Sequence, residues 1–388
     1  MTATDENLNG RRGGDRATPV AERIDYEMTD GFVGLLEQLG CSLIISSYQA
    51  SAVMIVGSLG DGRPVQSFAH FPAAMGLALD GDRLAVAMRS EVAILSNVRS
   101  LARTKPGAEN IYGGYFVVRQ RHVTGESAIH DMVFDGPDVI AVNTNYSCLC
   151  RLDGFHNFTP IWKPPFVSAL SPDDLCHLNG MAIEQGRIRY VTALGQTDTP
   201  RGWHAGRYKG GVVLEVPGGR AVASGLCMPH SPRIIAGRLL LTEAGIGAIV
   251  EIDRATRKKR VIGTLPGFAR GLAELGGYLF VGLSLPRGVQ PFKDLPVAAS
   301  GEPLMCGVAA LRADTGEAVG MLTYTGGCTE IHDIQITTRA RVMGISDLDG
   351  DATQTAIDLP DIGFWSTPRS AAPAAAASSA SYIQEFNP

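Results

Sequence analysis

The chain repeats one pattern, and that repeat limits its folds more than any other feature. A residue, most often polar, opens an apolar run, a tight turn follows, and a second apolar run returns. Copies run from Met75 to Ala87, His130 to Val142, Asn179 to Val191, His230 to Leu241 and Arg270 to Val281, and a shortened copy runs from His332 to Ile336. Further apolar segments follow at Glu91 to Leu95, Ser147 to Leu152, Gly211 to Val216, Ala248 to Ile252, Val308 to Leu311 and Arg341 to Ile345. Each copy reads as strand, hairpin, strand, loop, strand. Units repeating every 40 to 60 residues, each too small to bury its own faces, point to a ring of sheets.

The expected fold is therefore an all-β propeller of six blades, with seven as the alternative if Ser42 to Ser46 begins a blade of its own. The strands before Met75 lack an inner strand, and the last unit lacks outer ones. If the two ends of the chain share one blade, the ring closes and its free edges disappear. A helix is expected between Tyr26 and Leu39, where Phe32, Leu35, Leu36 and Leu39 fall at helical spacing. The propeller is expected over residues 26–365. Residues 1–25 and the Ala/Ser-rich residues 366–388 are expected to be disordered, because they offer too little apolar surface to offset ordering entropy.

Composition bears mainly on what the protein does not bind. The 388 residues carry 46 Gly, 22 Pro, 19% charged residues and a formal net charge of -5. That balance leaves no basic footprint for nucleic acid. No run of apolar residues is long enough for a membrane helix, and the N-terminus lacks the apolar segment of a secretory signal. The seven cysteines are scattered and odd in number, as expected for reduced thiols in a cytoplasm. Cys148 and Cys150 are read as packing residues on one face of a strand.

Aligning the units on their turns places Met75, His130, Asn179, His230, Arg270 and either His332 or Asp333 in one column. His177 precedes Asn179 by two residues, which on a strand puts both on the same side. The starts of inner strands ring one mouth of a propeller, so the column describes a mostly polar ring there. The histidines at 130, 177, 230 and 332 follow one another at steps of 47, 53 and 102 residues. A single histidine at a strand start is usually a hydrogen-bonded structural residue. Four in nearly one register suggest imidazoles converging on a divalent transition metal, with iron preferred and copper, manganese or zinc as alternatives. His130, His177 and His230 are the first choices as ligands, with His332 the fourth. Arg270 offers a fork for an anionic group, and Arg270 and Asn179 are expected to orient a small-molecule substrate. The alternative for the same residues is a polar channel lining.

The other candidates are weaker. His70, His122, His156 and His204 fall outside the column and are read as surface or turn residues. Asp131 and Asp333 should point away from the histidines they follow, toward neighbouring blades. Glu330 and Glu243 are candidate ligands or bases. Trp162, Phe166 and Trp203, on two long insertions, are candidates to roof the mouth.

Several strings resemble a known family: Val142-Asn-Thr-Asn-Tyr-Ser-Cys-Leu149, Trp162-Lys-Pro-Pro-Phe166, Cys176-His-Leu-Asn-Gly-Met-Ala182, Met228-Pro-His-Ser-Pro-Arg233 and Pro266-Gly-Phe-Ala-Arg-Gly-Leu272. They are similar to bacterial proteins carrying the DUF4915 domain, over roughly residues 30 to 350. The resemblance implies a propeller-like fold and transfers no activity. This chain departs from the family pattern at His332, where an aromatic residue is common. A histidine ring on a propeller also looks like the sites of carotenoid-cleaving oxygenases and oligogalacturonate lyases, as an analogy of fold.

The functional expectation is a metal-dependent enzyme carrying out an oxygen-dependent oxidation of a small or medium anionic substrate. A metal-assisted lyase or lactone hydrolase is the first alternative, and a non-catalytic binding or scaffold propeller is the second.

Overall fold

The computed structural model describes residues 23–287, 292 and 294–367. Most of the two terminal segments expected to be disordered lies outside them. The described chain forms six sheets, antiparallel except for one parallel edge pairing, and one separate hairpin. The first five blades begin with the strands Leu77–Asp80, Ile129–Asp135, Leu178–Glu184, Pro229–Ile235 and Phe268–Leu275. These strands touch their neighbours in a closed cycle, and Asp333–Thr337 of the sixth blade completes it. They are the inner strands expected from the aligned units, and the count is six.

The sixth blade takes its inner strand, Asp333–Thr337, from near the C-terminal end, and its other three strands, Ser42–Ser47, Ala52–Ser58 and Pro64–His70, from near the N-terminal end. Its seam pairs Ser46 with Asp333 and Ser42 with Thr337. The two ends of the propeller therefore share a blade, as the incomplete units implied.

Two short segments depart from expectation. Met343–Ile345 does not continue the sixth blade. It pairs in parallel with Gly114–Phe116 on the outer edge of the first. Tyr26 is in a strand, not a helix: Asp25–Met28 pairs with the outer strand of the fifth blade. The helix begins at Asp30, capped by the Thr29 side chain accepting from the Phe32 amide, and ends at Leu39 before Gly40 in the left-handed conformation. The sixth blade's neighbours are thus each extended by a fifth strand.

Why the strands read as near-continuous apolar runs is clear from the packing. Each blade is buried on both faces, so alternate residues feed two different inter-blade cores. Leu43 and Ile45 pack toward the fifth blade, whereas Ile44 packs toward the first. Cys148 and Cys150 lie buried together between the first and second blades, as packing residues. No described helix is long and apolar enough to cross a membrane.

Candidate functional site

One backbone device recurs at the mouth of the ring. Ala73, Ala128, His177 and Met228 all have φ near +50°, a conformation that costs a residue with a side chain about 1–3 kcal/mol. Each stands two residues before a member of the aligned column: Met75, His130, Asn179 and His230. In two blades the purpose is visible. The carbonyl of Ala128 accepts from His130 Nδ1 at 2.8 Å, and that of Met228 accepts from His230 Nδ1 at 2.9 Å. A carbonyl can only accept, so Nδ1 carries the proton in both rings.

Burial, together with the Arg270 charge, holds His130 and His230 well below the usual histidine range. The neutral rings therefore keep a bare lone pair on Nε2. His177 is fixed differently: its Nδ1 is 2.9 Å from Asp174 Oδ2, which also accepts from Trp203 Nε1 at 3.0 Å. His332 is 5% exposed, and neither ring nitrogen has a hydrogen-bond partner among the described residues. Burial first, then Arg270 and His130, hold it far below the usual range.

Three of the four rings meet directly. The His130 centroid is 5.0 Å from that of His177 and 4.9 Å from that of His332, both edge-on. All four histidines and Arg270 line a cavity of about 230 Å³. Arg270 has no hydrogen-bond or ion-pair partner among the described residues. Burial and the nearby Arg287 push its pKa down to about 10. Glu330 also lines the cavity, tied to Arg287 by two bonds of 2.9 and 2.7 Å. Among the described residues, no group of three or more His, Cys, Asp or Glu side chains is arranged to hold a metal ion.

Several expected participants are placed elsewhere. Asn179 belongs to the column but is committed to structure: its Nδ2 donates to the Pro229 carbonyl and its Oδ1 accepts from Thr192 Oγ1 at 2.7 Å. It lies outside the cavity lining. Glu243 is fully buried away from the channel, accepting from the Cys227 amide and from Lys259 Nζ. Of the three expected roof residues only Trp203 lines the cavity. Trp162 donates to the Pro217 carbonyl instead, and Phe166 packs between the second and third blades. His70, His122, His156 and His204 are not part of the lining.

Sequence reasoning missed Tyr48, Phe268, Phe292 and Arg287, which are among the wall residues. The position of Phe268, two before Arg270, was the available signal.

Beneath the imidazoles lies a second polar layer. Asp131 accepts from the Met181 amide of the third blade, and Asp333 accepts from the Leu77 amide of the first. Ser231 accepts from the Gly271 amide of the fifth. The residue after each column histidine thus binds the next blade, as expected for the two aspartates. A void of about 10 Å³ separates the layers, at the lower limit for one water.

The fold has solved counterparts. A chain from a nidogen/laminin complex superposes with a TM-score of 0.50 at 14% identity, covering 76% of this chain and 98% of that one. A protein from Bacteroides caccae gives 0.47 at 10% identity, over 76% and 98%. At such identities the first likeness shows the fold alone. Among curated protein sequences, none matches this one. The family model described as Domain of unknown function (DUF4915) matches residues 30–345. That span takes in all six blades except the edge strand Asp25–Met28 of the fifth, together with every described residue of the cavity lining, and the chain is a member of the DUF4915 family.

Proposed function

We propose that this cavity is the working site and that it receives a small anionic molecule, held by Arg270 and presented to the neutral imidazoles. The observation that carries this is the guanidinium of Arg270, half-buried in the cavity lining without a hydrogen-bond or ion-pair partner among the described residues. A partly desolvated cation without a counter-ion is unfavourably placed, and an anionic ligand would relieve that. The test is thermal shift and calorimetry with small carboxylates and inorganic phosphate, on wild type and Arg270→Gln. At least one anion should stabilise wild type and fail to stabilise the variant. Equal stabilisation of both proteins would overturn the reading.

A second reading concerns the chemistry. His130, His177 and His230 each have Nδ1 engaged, which is how protein acceptors orient metal-ligating histidines, with Nε2 free. His332 has both nitrogens free. This favours a divalent transition metal, iron first, which His130, His177 and His230 would hold through Nε2, with His332 as the fourth donor. The anion bound to Arg270 would then lie beside the metal, for oxidation or for Lewis-acid lyase or hydrolase chemistry. Elemental analysis of protein prepared without chelator or nickel resin tests it. About one equivalent of metal, lost in His177→Ala, is expected. Equal metal content in the two proteins would remove His177 from the ligand set.

A further inference from the structure

The walls of the cavity say more about its occupant than its charge does. Among the described residues its charged lining side chains are Arg270, Arg287 and Glu330. Glu330 neutralises Arg287 through a bidentate pair. One positive charge, that of Arg270, is left over. The lining therefore balances a monoanion, and a second negative charge would face Glu330.

The rest of the lining is largely apolar. Met75 and Met228 stand at strand starts, Trp203 lies tilted against His177 with ring centroids 4.5 Å apart, and Phe268 and Phe292 meet edge-on at 6.2 Å. Arg287 lies over the rings of Tyr48 and Phe292 at 5.7 and 5.4 Å. Ser284 spends its hydroxyl on the Ile331 backbone, donating at 3.1 Å and accepting at 2.9 Å. Apart from the four imidazoles, these walls offer a hydroxyl-rich molecule few partners, and each polar group left without one carries a cost. A planar ring would instead meet aromatic edges and faces and methionine sulfurs, contacts that favour it beyond area alone. The volume, about 230 Å³, falls below the range of about 300–1,000 Å³ for drug-sized ligands, so the body is compact.

We infer that the ligand is a small aryl monocarboxylate, its carboxylate on Arg270 and its ring among Trp203, Phe268 and Phe292. This rests on the anion-binding reading of the same cavity and narrows it. Planar guanidinium suits a carboxylate, which it grips through two parallel hydrogen bonds.

The experiment is calorimetric titration of the full chain with benzoate, phenylacetate, acetate, glucuronate, inorganic phosphate and neutral phenylacetamide. Phenylacetate or benzoate should bind about tenfold or more tightly than acetate, because the ring adds buried apolar surface. Phenylacetamide should bind at least about tenfold more weakly than phenylacetate. Phe268→Ala should reduce the gap between phenylacetate and acetate, whereas Arg270→Gln should reduce the gap between phenylacetate and phenylacetamide. Should Phe268→Ala fail to fold, Phe292→Ala replaces it. Phosphate or glucuronate binding more tightly than the aryl acids would overturn this inference and leave the anion reading standing. If no anion binds in a manner dependent on Arg270, both fall.

Discussion

Arg233 on the fourth blade joins Asp131 on the second across the axis, Nη1 to Oδ2 at 2.9 Å. Its other nitrogen, Nη2, lies 3.7 Å from Asp333 Oδ1 on the sixth blade. One guanidinium thus stands between two carboxylates drawn from alternate blades, under the histidines of those same blades. Burial and the proximity of Asp131 push the Asp333 carboxyl up to about 7, as expected when two carboxylates share one cation. Removing the cation with Arg233→Met should cost about 3–5 kcal/mol in urea unfolding. Adding Asp131→Asn and Asp333→Asn, which keep an oxygen acceptor for Met181 and Leu77, should recover much of that loss. No recovery would mean that Arg233 acts through packing rather than charge.

A second prediction concerns the distance between blades. A Cβ on Gly76 would lie 2.8 Å from the His130 carbonyl and 2.9 Å from the Asp131 amide. Backbone cannot yield as a side chain can, so Gly76→Ala must push the first and second blades apart. The expected loss is about 1–3 kcal/mol, read as a lower urea midpoint. Gly34, on the helix with open space around it, is the control: Gly34→Ala should be neutral or stabilising. Equal effects at the two sites would refute the close-approach argument.

The neutral histidines predict a pH dependence with a definite sign. The folded pKa of His332 lies below its unfolded value of about 6.5. The stability tied to keeping it neutral is complete above that value and is lost as pH falls below it, at up to about 1.4 kcal/mol per pH unit for each such ring. Asp333 titrates in the opposite sense but is present in both proteins compared. His332→Phe should therefore show a shallower fall in urea midpoint between pH 7.5 and 5.5 than wild type. Identical slopes would show that the His332 ring is not held neutral by the fold.

Asp174 carries two hydrogen bonds on one oxygen, from His177 and from Trp203. Asp174→Ala should cost about 2–4 kcal/mol, the sum of two bonds to a charged acceptor less relaxation. It should also release His177 into a mixture of tautomers, visible in its imidazole nitrogen shifts. A variant with an unchanged His177 spectrum would place the cause of its orientation elsewhere.

The blades were legible because each strand pair carries its own turn signal, and the incomplete first and last units revealed the shared blade. The column was legible for the same reason: aligned turns put Met75, His130, His230 and Arg270 in equivalent places, and all four line the cavity. Asn179 shows where the method stops. Its register was right, but its amide is taken by Pro229 and Thr192, contacts from other strands that no local pattern announces. His177 enters the cavity instead, on a left-handed backbone that a strand periodicity does not anticipate. Trp162 and Trp203 looked alike in sequence, and only the long-range partners, Pro217 for one and Asp174 for the other, separate them. Edge strands of three or four residues, such as Met343–Ile345, are too short to show a period at all.

The shared sixth blade sets the order in which the protein can be made. Asp333 and Ser46 meet across 287 residues, so the ribosome delivers the first three strands of that blade long before the one that completes it. Until then Ser42–Ser47 waits with an unpaired edge, open to strands of other chains. A contact this distant in sequence also slows folding, because the loop must close before the pairing rewards it. The last wedge of the ring is thus a timing device. A chain interrupted before residue 333 would have five blades ready and no means of closing on itself, and self-association through that edge is its expected fate.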